Sequence, residues 1–358
     1  MPTLARLSPL IAHPARTLVA SVAALLLLAL PHPAHAAASS PAPSAPAGPI
    51  AHTYSIVARD PATGEMGVAV QSHYFSVGPI VPWAEAGVGA VATQSLVLVD
   101  YGPNGLDLMR KGASAPEALK QLVAADTARD GRQVAMIDAE GRVAAYTGAK
   151  CIPAAGNHVG TDYSVQANLM SNEHVWPAMA AAFESAKGDL AERMMQALEA
   201  GEKAGGDIRG RQSAAMVVVK AKSSGKPWAD RVIDLRVEDH KDPLGELRRL
   251  ITLRRAYNFE DAGDNAISAK QPDVALKNYE QAAKLAPQVV ELQFWAAVSM
   301  YTNDRVPEAL QTFRHVFERE RRWVDLVPRL AKVGLFPDDP AKIAEVQRQA
   351  PRVERFLR

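Results

Sequence analysis

The alternation of apolar and polar positions changes character several times along the chain. Leu18 to Leu30 is an unbroken apolar run of 13 residues. As a helix it is too short to span about 30 Å of hydrocarbon, but it has the length of an export-signal core. Arg6 and Arg16 precede it, no acidic residue occurs before Asp60, and Ala34-His35-Ala36 places small residues at the two positions a signal peptidase reads. The expectation is a signal peptide over 1–36, with an uncleaved N-terminal anchor as the alternative. Residues 37–49 are Ala, Ser, Pro and Gly with no large apolar side chain, the composition of a linker.

From Ile50 to His240 the pattern is mixed. Thr53 to Arg59 and Met66 to Ser72 are β-rich runs, and Asp60-Pro61-Ala62-Thr63-Gly64 between them has the turn chemistry of a hairpin. Gly87 to Thr93 reads as a buried strand whose glycines allow close backbone approach. Ser114-Ala115-Pro116-Glu117 is a capping box opening a helix to about Ala125. Val134 to Asp138 and Arg142 to Thr147 flank a second hairpin turn. Helices are expected near Val175 to Lys187 and Leu190 to Lys203, and closing strands at Ser213 to Lys220 and Arg231 to Val237. Hairpins, then helices, then further strands predict a layered α+β domain over 50–240 rather than a doubly wound one.

After Asp242-Pro243 the strand signal fades. Leu244, Leu247, Leu250, Ile251 and Leu253 keep helical spacing. A 34-residue frame starting at Ala256 puts Phe259, Gly263, Ala275, Tyr279, Ala282 and Pro287 at the size-selective positions of a tetratricopeptide unit. One period on, Ala297, Ala309 and Phe313 recur, with Arg321 where proline is expected. This predicts an all-α, tetratricopeptide-like domain over 243–358, docked on the first domain or completed by flanking helices. A helical hairpin with coincidental spacing is the alternative.

Composition narrows the function classes. The 358 residues suggest about two domains at roughly 100–200 residues each. A net charge of +1 argues against a nucleic-acid partner. The single cysteine, Cys151, can make no intramolecular disulfide and no cysteine-based zinc site. No metal or other cofactor is expected. The chain has no G-x-S-x-G elbow and no phosphate-binding G-x-x-x-x-G-K-[ST] loop. Cys151 reads as a small core residue, and Ser223-Ser224-Gly225-Lys226 as a solvated turn.

Two polar stretches remain. Gly205 to Ser213 (GGDIRGRQS) combines three glycines with Asp207, Arg209, Arg211 and Gln212. It forms either a recess where an arginine clamps a carboxylate or a capped loop with an internal Asp–Arg pair. Ser164 to Asn168 alternates amides on a strand-like run. Those amides serve either a site, where Asn168 would be an oxyanion donor, or structural hydrogen bonding.

Several of these segments, in order, resemble the family called domain of unknown function 1028: Thr53 to Asp60, Gly67 to Val70, Pro82-Trp83-Ala84, Gly87 to Gln94, Tyr101-Gly102-Pro103, Gln166-Ala167-Asn168, and Asp207 to Ala215. The likeness covers about residues 53–240. It implies a four-layer αββα sandwich similar to N-terminal-nucleophile (Ntn) hydrolases. In such enzymes an N-terminal Thr, Ser or Cys attacks an amide with its own α-amine as base. An α-amine near 7.7–8 is partly neutral at physiological pH, which suits that role. The resemblance implies Thr53 as nucleophile, with Asn168 and Asp207 as its catalytic companions and Gln166, Arg209 and Gln212 as substrate-binding groups. Relatives often begin Met-Thr. Here His52 stands in place of that methionine, and residues 37–52 separate the expected signal cleavage from Thr53, so a second cut would be needed to free its amine. The expectation is an exported amidohydrolase, periplasmic or secreted. It would act on a small amide or peptide-like substrate, with no stable membrane anchor after signal cleavage and a homodimer left open. The alternative is a non-catalytic binding or scaffold protein of the periplasm or cell envelope that meets a protein partner through its helical repeats.

Overall fold

In a computed structural model, residues 50–351 are described. The expected signal peptide (1–36) and linker (37–49) lie outside them. The chain runs β1 (Ile50–Ala51), β2 (Thr53–Arg59), β3 (Met66–Ser72), β4 (Pro82–Glu85), β5 (Gly89–Leu96), α1 (Tyr101–Arg110), α2 (Ala115–Ala125), β6 (Arg132–Asp138), β7 (Val143–Thr147), β8 (Gly156–Gly160), β9 (Tyr163–Ala167), α3 (Val175–Ser185), α4 (Leu190–Lys203), β10 (Ser213–Val219) and β11 (Arg231–Val237). Six helices of very different length follow: α5 (Pro243–Ser268), α6 (Pro272–Leu285), α7 (Val290–Thr302), α8 (Val306–Arg319), α9 (Val327–Ala331) and α10 (Pro340–Gln347). Among the described residues no helix is long and apolar enough to cross a membrane.

The strands form two antiparallel sheets. One has the order β1-β5-β6-β7, with β4 also paired to β5; the other has the order β11-β10-β3-β2-β9-β8. Alternation along each strand divides its side chains between two environments. In β2, Val57 joins Val68, Val70, Ala90, Ala92, Ala135 and Ile137 in the apolar layer between the sheets. Tyr54 and Ile56 point the other way, into a core with Met179, Phe183, Met194 and Leu198 of α3 and α4. On the far face of the first sheet, Val91, Val134 and Met136 pack against Leu106, Met109 and Leu119 of α1 and α2.

Helix α2 begins with the expected capping box, in which Ser114 and Glu117 each satisfy the other's backbone N–H. Helix α1 has no such signature. Its Gly102-Pro103-Asn104-Gly105 is a poor helix former, yet a Cβ on Gly102 would lie 2.3 Å from the Trp83 ring. Close packing on the sheet, not propensity, selects that helix.

Helix α5 begins at Pro243, where the polarity change set the boundary. Its first turns place Leu244, Leu247 and Ile251 in the core shared with α3, α4 and the second sheet. Arg248 adds ion pairs to Glu192 and Glu199 of α4. Its later turns cross α6, where a Cβ on Gly263 would lie 2.6 Å from the Tyr279 ring. Ala256, Ala275, Ala282, Ala297, Ala309 and Phe313 are fully buried, whereas Phe259 is 38% exposed and fills no groove.

Candidate functional site

The site forms where the chain crosses from one sheet to the other. β1 pairs with β5 (Ile50 opposite Leu96, Ala51 opposite Ser95). One residue later, β2 enters the second sheet between β3 and β9. His52 is therefore the crossing residue, and Thr53 is the first residue of β2. Both are buried, Thr53 completely.

The peptide group joining them is held from several sides. The His52 carbonyl oxygen accepts from Ser72 Oγ at 2.7 Å and from Arg209 Nη2 at 2.7 Å. Thr53 Oγ1 has two acceptors for its one proton: the Ala51 carbonyl at 2.8 Å and Ser72 Oγ at 3.1 Å. Ser72 lies directly opposite Thr53 in the β2–β3 register, so the sheet itself brings the two hydroxyls together.

Arg209 reaches this carbonyl because Asp207 holds it. Asp207 Oδ1 accepts from Arg209 N and Nε, and Oδ2 accepts from Arg209 Nη2 at 2.7 Å and from His73 N. A two-pronged pair of this kind fixes the plane of the guanidinium as well as its position. The Asp207 side chain is fully buried and that of Arg209 is 29% exposed. Gly206 and Gly210 supply positive φ values, 58° and 102°, that let the loop fold back over the end of β3. Of the two readings of this stretch, the internal Asp–Arg pair is the one observed. Arg209 Nη2 donates both to Asp207 and to the His52 carbonyl.

On the other side stands Asn168. Its Oδ1 lies 2.7 Å from His52 Nδ1, while its Nδ2 donates to Gln133 Oε1 at 2.9 Å. An amide oxygen only accepts, so Nδ1 carries the imidazole proton and Nε2 the lone pair. Burial lowers the His52 pKa below its usual 6.5, and the nearby Arg209 charge lowers it further. The Asn168 hydrogen bond and Asp207 act in the opposite sense.

Behind this group a ladder of buried amides and hydroxyls links the sheets. Ser55 Oγ donates to Gln94 Oε1 (2.6 Å), and Gln166 Nε2 donates to Ser55 Oγ (2.6 Å). Gln94 Nε2 donates to Gln133 Oε1 (2.7 Å), and Gln133 Nε2 to the Ala167 carbonyl (2.8 Å).

Thr53, Asn168, Asp207 and Arg209 thus converge on His52. Gln166 lies deeper, inside the ladder. Gln212 does not join them: its side chain turns outward and donates to Asp239. Sequence reasoning missed His52, Ser72, Gln94 and Gln133 as parts of the site. His52 carried a signal, its place directly before the expected nucleophile, and Gln94 another, its place at the end of a segment of family resemblance. Cys151 is a buried free thiol that donates to the Arg132 carbonyl, and burial raises its pKa, as suits a core residue.

The sequence profile of a family of unknown function, DUF1028, matches residues 53–247. Among solved structures, the chain is similar to a Silicibacter pomeroyi protein assigned to DUF1028, with 30% identity and a TM-score of 0.51; the match covers 56% of this chain and 84% of that one. No curated protein matches.

Proposed function

The chain belongs to the DUF1028 family, and on that premise we propose that it is an exported, N-terminal-nucleophile-type amide hydrolase that stays latent until the His52–Thr53 bond is broken. Two antiparallel sheets stacked face to face, with helices on each outer face, support an Ntn-hydrolase-like αββα sandwich. The close Gly263–Tyr279 crossing and the buried small residues of α5 to α8 support a tetratricopeptide-like appendage.

One observation carries the reading. The carbonyl before Thr53 accepts two short hydrogen bonds, from Ser72 and Arg209, as an oxyanion hole would provide. Attack of Thr53 Oγ1 on the His52 carbonyl carbon places negative charge on that oxygen. The C–N bond then breaks, the hydroxyl proton ends on the departing nitrogen, and the acyl group rests on Oγ1 as an ester. Water hydrolyses the ester, leaving a carboxylate on His52 and a free α-amine on Thr53. With an external amide the same hydroxyl attacks again. The Thr53 amine takes its proton and delivers it to the leaving amine, and a second water frees the acid. Asp207 acts as a positioning residue through Arg209.

Intact mass and N-terminal sequencing of the purified protein test this. The wild-type chain should yield a species starting at Thr53, and Thr53→Val, nearly the same shape, should fold yet remain joined. A folded wild-type chain that stays uncut at His52–Thr53 would overturn the proposal and favour a non-catalytic binding protein.

A further inference from the structure

The residues just ahead of Thr53 sit as an extended strand in the very place an acyl group must occupy. We infer that the space filled by Ile50, Ala51 and His52 is the acyl-side binding site of the liberated enzyme, and that its substrate is an extended peptide carrying a small residue followed by a residue with a hydrogen-bond-donating side chain such as histidine. The inference rests on the proposed cleavage before Thr53 and adds the substrate class.

Three features of these residues define the selectivity. The backbone of β1 pairs with the β5 edge at Ser95 and Leu96. Cleavage and release of this segment would leave that edge unpaired, and an edge with free N–H and C=O groups takes up an extended peptide by strand addition. The side chains then discriminate. Ile50 is 55% exposed, so its position selects little, whereas Ala51 is fully buried and leaves no room for a large residue. At the acyl position, the His52 ring meets Asn168 Oδ1 at 2.7 Å. Asn168 cannot turn its amide group round to suit an accepting side chain, because its Nδ2 is already committed to Gln133 Oε1. A side chain without a donor would leave Asn168 Oδ1 buried and unpaired, a penalty that histidine avoids.

The amide cleaved is the one following that residue. Thr53 Oγ1 forms the ester as the C–N bond breaks, the leaving amine takes the proton, and one water is consumed in releasing the peptide acid.

The test uses processed protein that sequencing shows to start at Thr53, with the rest of the chain intact and acetyl-Ile-Ala-His-p-nitroanilide as probe. Acetyl-Ile-Ala-Ala- and acetyl-Ile-Phe-His-p-nitroanilide are the comparators. The first should be hydrolysed with kcat/KM about tenfold to a hundredfold above either comparator, and the wild-type preference for His over Ala should disappear in Asn168→Ala. Equal rates on all three peptides, or no hydrolysis by protein that does begin at Thr53, would overturn the inference while leaving the cleavage reading intact. Protein that never begins at Thr53 removes both.

Discussion

At the Thr53 end of the sheets the interior is built from amides and hydroxyls: Ser55, Ser72, Gln94, Gln133, Ser164, Gln166 and Asn168 are fully buried. Beyond Pro243 the interior is built from alanines and aromatic rings, and the described polar residues buried there are Glu260 and Ser299. In the helices, Phe294 packs edge-on against Phe313 and Trp295. A buried hydrogen bond adds only about 0.5–1.5 kcal/mol net, and an unmade one costs more than that. The helical region therefore shows how this chain packs where few polar groups are buried. The polar interior shows a group of atoms placed at a cost in stability, around a single peptide bond.

The sharpest way to break the comparison is Gln133→Leu. Gln133 donates to Thr147, Gly156 and Ala167 and accepts from Gln94 and Asn168. Leucine fits the volume but leaves those amides and carbonyls unpaired. Urea unfolding should show a loss of about 3–5 kcal/mol. If the variant is as stable as the wild type, the ladder is no more demanding than an apolar core.

Ser72→Ala addresses the peptide bond itself. It removes one of the two donors on the His52 carbonyl and one acceptor for Thr53 Oγ1. Cleavage before Thr53 should slow by about 10²–10³, the usual effect of deleting one oxyanion donor. A mass-spectrometric time course on refolded protein measures it, and an unchanged rate would mean that the Ser72 contact is structural only.

In the helices the equivalent test is steric. A Cβ on Gly263 would come within 2.6 Å of the Tyr279 ring, and that ring is pinned by its hydroxyl bond to Asp264 at 2.6 Å. Gly263→Val should therefore cost about 1–3 kcal/mol by overpacking, despite its better helix propensity. Thermal melts should show the loss, with cleavage before Thr53 unaffected.

The two regions also differ in how far the sequence reveals them. Periodicity located β11 at Arg231–Val237 and the capped start of α2, because a period and a cap are local properties. The 34-residue spacing placed Gly263 and Tyr279 at the α5–α6 crossing for the same reason. The polar interior has no local signature. Gln94 and Gln133 meet through the β5–β6 register, and Asn168, just after β9 of the other sheet, joins them only through sheet stacking. Family resemblance led to Thr53, Asn168, Asp207 and Arg209, but it could not show that Gln212 faces Asp239, since side-chain direction in that loop depends on where Gly210 turns it. Ser72 was invisible because its role follows from the β2–β3 register, which a one-residue slip would abolish.

The smallest effect concerns the charged residue that interrupts the helical core. Glu260 is buried in α5 near Glu291, Asp264 and Asp261, and burial, then these like charges, push its pKa to about 7. The folded state therefore holds this proton more tightly than the unfolded chain, where the pKa is near 4.5. The resulting stabilisation is complete below the unfolded value and is lost as pH rises through about 7. Glu260→Gln keeps the shape and cannot ionise. Relative to it, the wild-type protein should lose stability between pH 5 and pH 8, on the order of 1 kcal/mol after solvent screening. Paired thermal melts at the two pH values measure the difference. In the uncut Thr53→Val chain, which retains it, His52 should behave in the opposite sense. Its lowered pKa means that the folded state binds fewer protons than the unfolded chain, so its contribution falls as pH drops below about 6.5. In the uncut Thr53→Val chain, an alkaline decline that Glu260→Gln abolishes would assign that limb to the helical core, and an acidic decline below about pH 6.5 that His52→Gln abolishes would assign the other to the crossing peptide.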